Sequence, residues 1–212
     1  MRNIFLFAMA FSFGMSLGAQ NLVKNSDFNR YHDRLGPEFR ANGGKVMFFT
    51  EEPMRNHCGK LIIDKIRKSG QYETYSAACW IGGAYTDNRK PGGFPCKPNT
   101  TYDFSIDIKG TVHSAGISFT QWTEGGTLWK GAKNYPTSAG KIKVQKEWTT
   151  CKGSFTTKSD ADHACLRLIL WGNSRYGALT DKAGDYILFD NIVIKERKNT
   201  ENSMASAAQA GQ

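Results

Sequence analysis

The side chains best placed to do chemistry in this 212-residue chain are aromatic and carboxylic rather than nucleophilic. His32, His57, His113 and His163 are scattered, none paired with another at metal-ligand spacing, and no Ser or Cys stands in a nucleophile motif. Asp27, Asp33, Glu51, Glu52, Glu124, Asp160 and Asp181 fall in turn-like stretches. Two carboxylates held across a cleft hydrolyse glycosidic bonds, but turn carboxylates are far more often simply solvated. The expectation is therefore no catalytic residue and no enzyme. The tryptophans point elsewhere. Trp122 and Trp171 follow the phase opposite to the apolar residues of their own strands. An indole left in water deliberately offers a flat apolar face for a sugar ring, with neighbouring polar groups binding the hydroxyls. Arg167, Gln121, Asp107 and Lys109 are read in the same outward phase and supply those hydrogen bonds. A second possible set, Trp80, Tyr85, Trp129 and Tyr135, lies at strand ends or in loops. The competing reading is that these rings cover a small second core under the loops.

The elements that carry these residues are strands. Thr101 to Lys109 alternates cleanly: Tyr102, Phe104, Ile106 and Ile108 face one way, Asp103, Ser105, Asp107 and Lys109 the other. Ile117 and Phe119 oppose Ser118, Thr120 and Trp122; Leu166, Leu168 and Leu170 oppose Arg167, Ile169 and Trp171. Further strands are read at 21–24, 45–50, 60–66, 72–81 and 148–156, with Trp148 assigned to the core. Tyr85 to Pro98 and the Gly-rich stretch Glu124 to Ser138 read as loops. No segment keeps a 3.6-residue period. About nine short strands separated by turn signals predict an all-β jelly-roll sandwich of two antiparallel sheets.

The last strand, Gly184 to Lys195, is apolar on both faces and so reads as central. It contains Asp190. A buried carboxylate without a partner is costly, so Asp190 is paired, metal-bound, or at a bend where it takes backbone amides.

Arg2 and the apolar run Ile4 to Phe13, followed by small residues, read as a signal peptide over 1–19. Residues 20–197 form the expected domain and 198–212 a polar tail or linker. The product is expected to be secreted, periplasmic or at the cell surface, with no membrane span. The formal charge of +9 is scattered over the chain. It suits a solvated surface or an acidic glycan, and an exported chain without a recognition motif does not suggest nucleic acid. Five cysteines, Cys58, Cys79, Cys96, Cys151 and Cys165, leave at least one outside any intramolecular pairing. Cys151 with Cys165 across a hairpin, and Cys79 with Cys96 across a loop, are the pairings spacing allows; buried thiols are the alternative.

Read in order, NLVKNSDF, GKLII, KPNTTYDFSIDIKG, KEWTTCKGSFTT, CLRLILWG and DYILFDNIVIKE resemble the carbohydrate-binding modules of the 4/9/22 type, over roughly Asn21 to Glu196. That resemblance implies a galactose-binding-like jelly roll that binds poly- or oligosaccharide without cleaving it, in company with a glycoside hydrolase; an envelope protein is the other partner considered. It implies a sugar site either in a groove across one sheet (Trp122, Trp171, Arg167, Gln121, Asp107) or in the loops (Trp80, Tyr85, Trp129, Tyr135). It also implies a structural Ca2+ held by Asp190, with Asp27 as its neighbour. A structural or adhesive surface protein, and less so a jelly-roll lyase or hydrolase, are the alternatives.

Overall fold

Strict alternation of buried and open positions along Thr101–Gly110 sets the pattern for the molecule, because one face of each long strand must bury against a second sheet. The computed structural model describes residues 20–23, 28, 39–42, 44–51, 56–82, 93–123 and 134–198. Its strands are β1 (Phe39–Asn42), β2 (Lys45–Glu51), β3 (Asn56–Ile62), β4 (Arg67–Ser69), β5 (Tyr72–Ile81), β6 (Phe94–Pro95), β7 (Thr101–Gly110), β8 (Ser114–Thr123), β9 (Asn134–Lys143), β10 (Thr149–Thr156), β11 (Ala161–Asn173) and β12 (Tyr186–Glu196). Among the described residues twelve strands replace the expected nine or so, because short pieces such as β4 and β6 carry no periodicity of their own. Among the described residues no helix is long and apolar enough to cross a membrane.

One sheet runs β1-β5-β11-β8-β9, with β4 and β6 joined at β5 and β11; the other runs β10-β7-β12-β3-β2. All pairings are antiparallel, as a jelly-roll sandwich requires. The closing strand is central in its sheet, as its apolarity predicts. Phe119 of β8 bridges the layers, 5.1 Å from the Phe104 ring and stacked 3.8 Å from Phe155. Burying each such ring contributes up to about 3 kcal/mol.

Three local readings change. Asn134–Lys143 is a strand, not loop. It is an edge strand, where Pro136 is tolerated, and a register shift between Ile117 and Ser118 breaks its alternation. Residues 21–23 form no ladder; Asn21 instead clips the chain to β12, its amide donating to the Ile192 carbonyl and its Oδ1 accepting the Ile194 amide. Trp148 lies outside the core on the outer face of the β7 sheet, donating to Glu51 beneath the Lys109 ammonium.

The expected Cys151–Cys165 hairpin does not form: β10 and β11 belong to different sheets, so the turn between them is a crossover. None of the five cysteines is in a disulfide. Burial pushes the Cys58 and Cys96 thiols up to about 12, and Cys165 higher still, which keeps them protonated and unreactive at neutral pH.

Candidate functional site

The candidate site is the outward face of β5, β11 and β8. Register fixes who meets whom: Arg167 lies opposite Trp80 on one side and Ser118 on the other, Trp122 opposite His163, and Trp171 opposite Ser76. Trp122, Arg167 and Trp171 therefore share the outward phase, as their alternation predicts. They occupy different stations. From His163 to Trp171 is about 27 Å at roughly 3.4 Å per strand residue, so the two indoles stand at opposite ends of β11.

At one end Trp171 is 49% exposed and Tyr176 73% exposed, with ring centroids 5.8 Å apart. Tyr176 comes from a 3-10 turn, Ser174–Tyr176, whose start is capped by the Asn173 side chain accepting the Arg175 amide. The two rings edge a cleft of about 200 Å³ whose lining includes Tyr75, His113, Lys141 and Asp181. Asp181 anchors its floor. Its carboxylate accepts the Tyr75 hydroxyl at 2.5 Å and the His113 amide at 2.6 Å. Burial, then the adjoining Asp181 carboxylate, push the Tyr75 phenol far above its ordinary range, so it stays a donor. Sequence reading found Trp171 by phase but missed Tyr176, which sits in an irregular connection where no period marks it.

At the other end Trp122 is fully buried, which corrects its expected exposure. Its ring stacks on Trp80, centroids 6.4 Å apart, and the Arg167 guanidinium lies 4.3 Å over Trp80. Gly93, at φ +100°, closes against it; a Cβ there would run into the Ala164 carbonyl and crowd the Trp122 ring. The rings here form the second small core that was the competing reading. Four side-chain atoms on this face are buried without a hydrogen-bond partner among the described residues: Ser118 Oγ, Thr120 Oγ1, Trp122 Nε1 and Arg167 Nε. Such a hydroxyl costs stability, so Thr120→Val, nearly isosteric, is expected to raise the melting temperature by roughly 2–6 °C in scanning calorimetry.

Two members of the expected groove set lie elsewhere. Gln121 is one residue out of phase with Trp122 and points inward, where its amide donates to the Thr156 carbonyl and its oxygen accepts the Lys158 amide. Asp107 is on β7, in the other sheet, accepting from Thr150 and Asn191. Lys109, two residues on, is paired with Glu51. Of the loop set, Trp80 belongs to β5 and joins the Arg167 end, Tyr135 lies on β9 opposite Gln121, and Tyr85 and Trp129 fall outside the described residues.

Asp190 occupies a β-bulge: the register slips between Asp190 and Val193, Asn191 takes φ 46°, and Asp190 Oδ1 accepts the Asn191 amide at 2.7 Å. The bend reading accounts for that contact. A calcium ion takes six to eight oxygens, and among the described residues no group of three His, Cys, Asp or Glu surrounds this point. The described side chains alone do not make the site; Asp27 lies outside them.

The fold is a jelly-roll sandwich of the kind carbohydrate-binding modules use, and its middle carries their sequence pattern. A family model described as a carbohydrate binding domain, of the CBM 4/9 group, matches residues 93–175. That span includes Trp122, Arg167 and Trp171. No curated protein matches the chain. Among solved structures, it is similar to the enzymatically active domain of tailspike protein 4 from Bacteriophage CBA120, with a TM-score of 0.51 at 11% identity, covering 84% of this chain and 21% of that one. It is similar also to the CBM22-1–GH10 modules of the Clostridium thermocellum N-terminal endo-1,4-beta-D-xylanase 10B complexed with xylohexaose, with a TM-score of 0.50 at 12% identity, covering 80% and 28%. At these identities the likeness is one of fold, and the chain spans about a quarter of either structure.

Proposed function

We propose that this chain is an exported, non-catalytic carbohydrate-binding domain that docks a poly- or oligosaccharide on the outward face of β5, β11 and β8. The observation that carries the reading is the exposed Trp171–Tyr176 pair beside a polar cleft, on the same sheet face as Arg167 and Trp80. Two tilted rings, Trp171 on β11 and Tyr176 on the capped turn, give a sugar ring an apolar seat, while Lys141 lines the cleft beside them and can bond hydroxyls. Shallow seats of this kind bind at micromolar to millimolar Kd, about −8 to −4 kcal/mol. The carbohydrate binding domain matched over 93–175 supports the same reading. Export rests on the signal-like sequence of residues 1–19. The non-catalytic reading rests on the sequence, in which no two His stand at metal-ligand spacing and no Ser or Cys stands in a nucleophile motif. Affinity electrophoresis through a panel of polysaccharides tests it: at least one glycan retards the protein, and no retardation by any of them refutes the reading.

Calcium belongs to the proposal as a clamp between the first turn and β12, through Asp190 and Asp27. Removing such an ion with EDTA is expected to lower the melting temperature by roughly 5–10 °C, reversibly on calcium addition. An unchanged transition removes calcium from the account.

A further inference from the structure

We infer that the closed end of this face is a receptor for an anionic group, the carboxylate or sulfate of an acidic saccharide, held by Arg167, Trp122, Thr120 and Ser118. This deepens the carbohydrate reading and rests on it. Ser118, Thr120 and Trp122 are successive same-face residues of β8, and Arg167 stands directly across from Ser118 on β11. Thr120 and Trp122 are fully buried and Ser118 nearly so. Their polar atoms and Arg167 Nε are the buried side-chain atoms lacking a hydrogen-bond partner among the described residues, and all four fall on this one face.

Their chemistry is one-sided. An indole N–H and a guanidinium N–H only donate, and a hydroxyl can donate as well. What completes such a set must accept several hydrogen bonds. It must also be negative, since Arg167 is desolvated by its surroundings, which pulls its pKa down, and a desolvated charge is costly until paired. No Asp or Glu occupies the outward phase of β5, β8 or β11. The nearby carboxylate of Asp162 bonds His163 at 2.9 Å instead. Arg167 and Trp80 are only partly buried while the β8 donors are enclosed, so the route proposed for the anion runs past the guanidinium. A neutral hydroxyl satisfies the geometry of one donor; a carboxylate or sulfate satisfies several and neutralises the guanidinium, through bonds about twice as strong.

The experiment titrates the full domain by calorimetry with polygalacturonate and its carboxyl-reduced form, and with a sulfated galactan and its desulfated form. One acidic polymer is expected to bind at least tenfold tighter than its neutralised counterpart, and which one does so separates carboxylate from sulfate. Arg167→Gln is expected to abolish that preference, bringing the affinity for the acidic polymer down to that for its neutral counterpart. Thr120→Val, which keeps the fold, is expected to weaken the acidic form alone several-fold. Lys152→Gln, on the other sheet's outer face, removes the same charge and is expected to change affinity less than twofold. Equal binding of each acidic polymer and its neutral form overturns the inference and leaves the carbohydrate reading standing. So does an equal loss in Arg167→Gln and Lys152→Gln, which would mark diffuse attraction to a basic surface. No binding of any polymer, neutral or acidic, refutes both.

Discussion

Trp171→Ala is expected to abolish retardation by the glycans that slow the wild type, a loss of at least tenfold in affinity, or about 1.4 kcal/mol. Half of this ring is already in water, so its removal costs the fold little, and surface substitutions usually stay within about 0.5 kcal/mol. Its contribution falls on the bound state, where a sugar face would cover it. Tyr176→Ala is expected to weaken binding less, because the tyrosine is the more exposed ring, on the turn rather than the sheet. Circular dichroism and calorimetry of both variants should match the wild type. A parallel loss of structure would move the effect from the site to the scaffold.

The second large effect is on stability. Asp181→Ala leaves the buried Tyr75 hydroxyl and the His113 amide without their acceptor. Hydrogen bonds to a charged group contribute about 1.5–3 kcal/mol, so losing the pair is expected to cost about 2–4 kcal/mol and lower the melting temperature by roughly 5–12 °C. Asp181→Asn should fall between, since the two donors bond different carboxylate oxygens and the amide keeps only one of them. Tyr75→Phe should cost less than Asp181→Ala, and little more when added to it, because the two side chains share one bond. Since Asp181 anchors the 174–185 connection under the Trp171–Tyr176 cleft, glycan affinity is expected to fall in Asp181→Ala even at temperatures where the protein is folded. Affinity kept at the wild-type level in a folded Asp181→Ala would show that the cleft floor does not position the rings.

Period-two patterning made the sandwich legible, because every long strand buries one face against the opposite sheet. Tyr102, Phe104, Ile106 and Ile108 are all buried, and Trp171 is outward and open. Alternation reports in or out, however, and not which of two sheets a strand joins. Asp107 and Arg167 have the same local phase yet stand on opposite sides of the molecule. It also says nothing of what lies over an outward face. Trp122 points away from the main core and is still fully buried, because Trp80 and Gly93 close on it. Gln121 reverses the outward assignment for the plainest reason: it is the neighbour of an outward residue and must face in. Edge strand β9 was hidden by a proline and a register shift, and Tyr176 by a turn with no repeat. The isolated polar atoms of Ser118 and Thr120 could be found only once register had placed Arg167 beside them.

Saccharide docking on the outward face of β5, β11 and β8 is open to direct observation in solution. Indole N–H resonances report on it directly, since tryptophans stand on both sheets. Titrating a retarding oligosaccharide into the 15N-labelled protein is predicted to shift the Trp171 indole signal, with Trp80 and Trp122 following if the chain extends along β11, while Trp148 on the opposite sheet stays in place. Movement of Trp148 with Trp171 unmoved would contradict the account.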